Sequence, residues 1–262
     1  MTQPHDAKRG PAGEEFGPSQ HRESVASLDA PTPLEPNLEE VLESASRLQE
    51  LVPDAVLVGG SAAAYYARHR LSYDHDHVIG DLEDRYDMVL DALESEGEWV
   101  TNRLTYGKII LGELGGIEAG VRQLIRRRPL EFQTVKIPSG AQLRVPTMEE
   151  TLRIKAFLAV RRNQVRDYLD IAALADTMGY ENAALVLSRI DEFYADQHGD
   201  GDGVSTQVAR QLASPQPKDA KVTTNLRQYK GLVPRWQKWP AVVQACRRVA
   251  ALMLEEPTGE RM

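Results

Sequence analysis

The chain has a single cysteine in 262 residues, Cys246. That excludes an intramolecular disulfide framework and a structural zinc site built on cysteine. The apolar periodicity around Cys246 predicts a buried, inert thiol. Nowhere do about eighteen apolar residues follow one another, so no membrane span is expected. The polar, proline-rich start lacks the apolar core of a secretory signal. The expected location is the cytoplasm, with no membrane partner. Aromatic residues are sparse, 6% of the chain. The net charge of −8 argues against indiscriminate nucleic-acid binding. That charge is uneven, however. Basic residues outnumber acidic ones between Arg103 and Arg166, with Arg122, Arg126, Arg127 and Arg128 close together. Salt screens charges beyond about 10 Å, so this local sign matters more than the total to a polyanionic substrate.

What is present is enough apolar material, 42% of the residues, for one sizeable core or two modest ones. Residues 1–36 are rich in Pro, Gly, Glu and Ser, with little to bury, and read as a disordered tail. Asn37 suits the N-cap of a helix whose stripe is Leu38, Val41, Leu42, Ala45, Leu48 and Leu51. After Pro53 come a short strand, Val56 to Val58, an Ala- and Tyr-rich segment to about Arg70, and a second strand from Ser72 to Ile79. A helix over 82–96, strands over 99–104 and 108–114, and a hairpin over 130–145 follow. Residues 117–122 read as strand or loop. Thr147 and Glu150 fit a capping box that opens a helix to about Arg162. A second helix spans 164–178, and helical periodicity returns over 182–194 and within 226–254. The aromatics Tyr229, Trp236 and Trp239 fit core packing better than RNA stacking. The fold class is therefore α/β (α+β). An α/β domain over 37–146, with a mixed sheet and flanking helices, precedes a helical domain over 147–256.

The chemistry concentrates between Val56 and Asp81. Glycines after a buried strand allow a sharp turn and leave backbone N–H groups facing outward, and the helix that follows adds its positive end. Gly59, Gly60 and Ser61 thus predict a phosphate cradle. Asp74 and Asp76 lie two apart on a strand, so both carboxylates leave one face, roughly 7 Å apart at Cα. Such a pair suits Mg²⁺ or Mn²⁺ bound to phosphate oxygens. Ser72 shares that face and is placed to orient Asp74 or to meet a phosphate. His75 and His77 fall on the other face, which predicts a strand less buried than an apolar pattern would give.

Gly59-Gly60-Ser61 followed by Arg70-x-Ser72-x-Asp74-x-Asp76 resembles the first motif of the DNA polymerase β-like nucleotidyltransferase superfamily. Within it, the chain resembles the branch of AbiEii-type toxins from toxin–antitoxin systems. That branch carries a downstream lysine and an Arg-Asp-x-x-Asp element, for which this chain offers Lys155 and Arg166-Asp167-Tyr168-Leu169-Asp170. The resemblance implies Asp74, Asp76, Lys155, Asp167 and Asp170 as catalytic residues. Gly59, Gly60, Ser61, Ser72 and Arg162 would hold a nucleoside triphosphate, and Glu118 or Glu131 would be a third metal carboxylate. An Arg166–Asp170 surface ion pair competes with that role for Asp170. The resemblance further implies an RNA acceptor such as a tRNA, steered by Arg122 to Arg128, and a cognate antitoxin. Two other functions fit the same residues. One is nucleotide transfer to a small, antibiotic-type molecule, and the other is a catalytically silent nucleotide- or RNA-binding regulator.

Overall fold

The computed structural model describes residues 37–197 and 201–255; the tail expected over 1–36 lies outside them. Asn37 accepts from the Glu40 N–H while the Glu40 carboxylate accepts from that of Asn37. This reciprocal cap starts α1 (Leu38–Leu51), which buries Val41, Leu42, Ala45 and Leu48. The chain then forms β1 (Val56–Val58), α2 (Gly59–Ala67), β2 (Asp74–Ile79) and α3 (Tyr86–Glu94). Next come β3 (Trp99–Thr105), β4 (Ile109–Leu114) and β5 (Ile117–Gln123), so the segment left open as strand or loop is a strand. β6 (Phe132–Lys136) and β7 (Gln142–Pro146) form the expected hairpin.

β1 to β5 make one mixed sheet in the order β1-β2-β5-β4-β3. β2 and β5 run parallel and every other neighbouring pair is antiparallel. One face packs on α1 and α3 through Leu48, Tyr86, Val89, Leu93, Ile110 and Val121. β2 alternates strictly, with His75, His77 and Ile79 buried and Asp74, Asp76 and Val78 half-exposed. The histidines therefore do not leave the strand less buried. His75 and His77 are within 1% of fully enclosed, their rings meeting edge to face at 5.3 Å. His75 Nε2 lies 3.0 Å from Ser44 Oγ of α1, while among the described residues neither His77 nitrogen has a hydrogen-bond partner. In neutral form an imidazole packs as an aromatic, which is how both serve here.

Helices dominate after Pro146: α4 (Met148–Arg161), α5 (Val165–Met178), α6 (Tyr180–Ser188), α7 (Val204–Ala213) and α8 (Trp239–Leu254). The periodicity expected to Tyr194 gives way at a short 3-10 turn over Ile190–Glu192. Thr147 caps α4 by accepting from the Glu150 N–H, but Glu150 does not return the bond. Its carboxylate turns inward to Arg126 and Arg153. These helices bury Leu152, Phe157, Tyr168, Leu169, Trp236 and Val249 in one cluster that also takes Ala63 from α2. Trp236 and Tyr229 thus pack with the core. Cys246 is fully buried, and that burial pushes its thiol up to about 12. α2 is the shared element, touching β1 and β2 on one side and α4 and α5 on the other.

Candidate functional site

A cleft of about 690 Å³ opens along the half-exposed face of β2 and β5, and α4 and α5 close its far side. Gly59 turns the chain from β1 into α2 at φ 78°. A Cβ there would meet Asp76 Oδ2 at an ordinary contact distance of 3.5 Å, so it is the positive φ that calls for glycine, and the Asp76 carboxylate lies against the turn. A Cβ on Gly60 would sit 2.5 Å from Ser72 Oγ and 2.9 Å from an Arg70 nitrogen, so a side chain there would force Ser72 and Arg70 to move. Asp74 and Asp76 leave β2 on the cleft side, in register with Glu118 and Gly120 of β5. A Cβ on Gly120 would lie 3.0 Å from Asp76 Oδ1, so this glycine makes the room that the Asp76 carboxylate occupies. Ser72 donates to Asp74 Oδ1 at 2.9 Å. Ser61, expected to hold phosphate, is fully buried and donates to the Asp74 carbonyl. Its hydroxyl ties the first turn of α2 to β2 and does not line the cleft.

Arginines and a lysine surround the two carboxylates. Arg122 Nε donates to Asp76 Oδ1 at 3.0 Å. Lys155 reaches the cleft from α4 and ion-pairs with Asp170 Oδ2 at 2.7 Å. Asp170 also accepts from Arg70 Nε at 2.9 Å, and His69 Nε2 lies 2.8 Å from the same Oδ1. Full burial alone would push the Asp170 carboxyl up, yet the Arg70 and Lys155 charges and His69 hold it well below the usual carboxylate range. Burial lowers His69 despite Asp170, which leaves it a neutral donor. Asp167 grips Arg162 through two bonds of 2.6 and 2.7 Å. Burial opposes charge on Arg162, and Asp167, Asp170 and Asp76 overcome it. Expected as catalytic carboxylates, Asp167 and Asp170 thus lie one layer behind the cleft, each orienting a cation that lines it. The competing Arg166–Asp170 ion pair does not form; Arg166 donates to Gln164 instead.

The fit to a divalent cation rests on Asp74 and Asp76, two hard oxygen donors beside a backbone turn. Among the described residues no three metal-ligating side chains converge. Of the two candidates for a third carboxylate, Glu118 lies across from Asp74 and lines the cleft. Glu131 is instead 2.7 Å from Arg153 in a separate small pocket. The basic run from Arg122 to Arg128 also divides. Arg126 borders the cleft, but its guanidinium is buried 2.7 Å from Glu150 and over the Tyr194 ring. Arg128 lies on Phe193. Only Arg122 of these reaches the carboxylate pair. Sequence reasoning missed His69, Gly120 and the role of Arg70. Arg70 carried a readable signal, two residues before Ser72 in the same alternation as Asp74 and Asp76. Gly120 carried none, since its partner is set by a parallel pairing far along the chain.

A mixed five-stranded sheet, with a glycine turn and an Asp-x-Asp strand facing a helical layer, has the fold of a nucleotidyltransferase. The solved structure of MenT4, a nucleotidyltransferase toxin from Mycobacterium tuberculosis H37Rv, aligns with a TM-score of 0.50 over 84% of this chain and 85% of MenT4, at 17% identity. At that identity the likeness carries the fold and no more. No family model matches the chain. By sequence, 82% of the chain is 32% identical, over 241 residues, to the heme uptake protein MmpL11 of Mycobacterium tuberculosis, covering 23% of that protein. Half of it is 39% identical to the mycolic acid-containing lipids exporter MmpL11 of Mycolicibacterium smegmatis, covering 13% of that protein. The chain spans about a quarter or less of the curated relatives it matches. Among the described residues no helix is long and apolar enough to cross a membrane.

Proposed function

We propose that the chain is a metal-dependent nucleotidyltransferase that moves a nucleotide from a nucleoside triphosphate to an RNA acceptor, acting in the cytoplasm as the toxin of a toxin–antitoxin pair. The observation that carries it is the pairing of Asp74 and Asp76 on one strand face against the Gly59–Gly60 turn, with Lys155, Arg70, Arg122 and Arg162 around them. Asp74 and Asp76, with Glu118 beside Asp74, would hold Mg²⁺ or Mn²⁺, which supplies charge neutralisation and activates an attacking oxygen. The backbone N–H groups at the start of α2 suit triphosphate oxygens. Lys155, Arg70 and Arg162 are fixed in advance by Asp170 and Asp167, so they neutralise charge developing on the leaving pyrophosphate without reorganising. The toxin role and the RNA acceptor draw support from the motif resemblance; the likeness to MenT4 supports the fold alone. A cognate antitoxin follows from the same reading. A small-molecule acceptor is the second reading, favoured by the apolar stretch of cleft wall at Leu124, Ile125, Leu130, Ile154 and Leu158.

The test is to incubate the purified chain with each labelled nucleoside triphosphate, Mg²⁺ or Mn²⁺, and total RNA. Label is expected to enter RNA and to be lost with Asp76→Asn. Transfer to small molecules with RNA absent would establish the second reading. No transfer under any condition, with nucleotide still bound, would leave a silent binding module.

A further inference from the structure

Most cations of the cleft are pinned from behind. Lys155 and Arg70 cannot leave Asp170, nor Arg162 leave Asp167, without stranding a carboxylate that is 0% exposed. Arg122 differs: its partner is Asp76, itself one of the two carboxylates facing the cleft. The pair is open to solvent, 39% and 29% exposed at the side chains. The bond uses Nε alone, and among the described residues the two terminal guanidinium nitrogens make no hydrogen bond. Arg122 stands two residues beyond Gly120, whose missing side chain leaves the path to Asp76 clear. A divalent cation and the guanidinium compete for the charge of the same carboxylate, and they repel each other. A triphosphate, however, offers the guanidinium a better acceptor, often met by two parallel bonds.

We propose that Arg122 is an exchangeable counter-ion. It holds Asp76 in the resting protein, moves to the triphosphate when nucleotide enters, and so makes capture of the divalent cation conditional on nucleotide. The inference rests on the metal-site reading above, and it adds a device that reading does not require. Its consequence is reciprocal: whatever Arg122 subtracts from metal affinity in the empty cleft, nucleotide restores.

The measurement is Mn²⁺ binding to the full chain without nucleotide, followed by the paramagnetic resonance signal of the free ion. Arg122→Ala and Arg122→Gln are expected to bind Mn²⁺ about two- to fivefold more tightly than the parent, by loss of one partly exposed competing charge. Arg122→Lys is expected to fall between. Without metal, a non-hydrolysable triphosphate is expected to bind both neutral variants several-fold more weakly. Asp76→Asn is the control. If it loses Mn²⁺ while the neutral Arg122 variants bind the ion no better than the parent, the counter-ion role is overturned and the metal site stands. If Asp76→Asn binds Mn²⁺ as the parent does, both ideas fall.

Discussion

Replacing Asp170 by Asn is the most demanding test of the architecture behind the cleft. The substitution keeps size and removes one negative charge from a point where Lys155, Arg70 and His69 converge. Asp170 is 0% exposed and Lys155 2% at the side chain, so water screens little of the interaction. Breaking one side of such a buried pair costs about 3–5 kcal/mol, because the partner is left charged and enclosed. Here two cations are stranded together, which places the cost in the upper half of that range. For a chain of this size each kcal/mol lowers the melting temperature by roughly 2–4 °C, so a fall of about 10 °C or more is expected. The penalty is expected to be flat from pH 5 to 8. A carboxyl whose folded pKa is depressed contributes fully above its unfolded value of about 3.9 and loses the contribution only as pH falls through the folded one. The assay is urea unfolding of Asp170→Asn, Lys155→Met and the double variant. Since Lys155→Met removes one of the stranded charges, the double variant is expected to recover at least about 2 kcal/mol relative to additivity. A loss under about 1 kcal/mol for Asp170→Asn, or strict additivity in the cycle, would refute the picture of a carboxylate pinning the cleft cations.

The glycine turn and the buried histidines offer further tests. Gly60→Ala places a Cβ 2.5 Å from Ser72 Oγ and 2.9 Å from Arg70, so nucleotide binding is expected to weaken at least tenfold. Near-parent binding by isothermal titration would show that the turn yields. Burial depresses both histidines, His75 to about 4 and His77 well below its ordinary value. A histidine depressed in the folded state favours the unfolded chain once protonated. Its contribution is therefore present above about pH 6.5 and lost as pH falls toward the folded value. Stability is expected to drop by about 1.4 kcal/mol per pH unit per histidine below pH 6.5. His77→Met is expected to remove one histidine's share, about 1.4 kcal/mol per pH unit, from a slope to which the lowered His69 also contributes, and equal stability of the parent at pH 7.5 and 5.5 would count against it.

The legible part of the molecule was its local part. Alternation and capping signals set the strands of the first half and the helices of the second, because a period of two or of 3.6 is written in consecutive residues. Gly59, Gly60, Asp74 and Asp76 were legible for the same reason: a turn and one strand face are short-range facts. Even there, the number of neighbours on each side was not. His75 and His77 look like polar interruptions of β2 until the fold buries both, with Ser44 of α1 meeting His75 and the His75 ring meeting that of His77.

What the sequence by itself determined is the periodicity, the turn and the carboxylate pair. Tertiary structure alone decided the company each charge keeps. It joined Lys155 and Arg70 at Asp170, set Arg162 on Asp167, withdrew Arg126 into a buried pair with Glu150, and brought Arg122 to Asp76. Residues of one sign are interchangeable in a string of letters. The cost of burying a charge without a partner makes them distinct once the chain has folded, since each enclosed cation must end beside a carboxylate that the packing brings within reach.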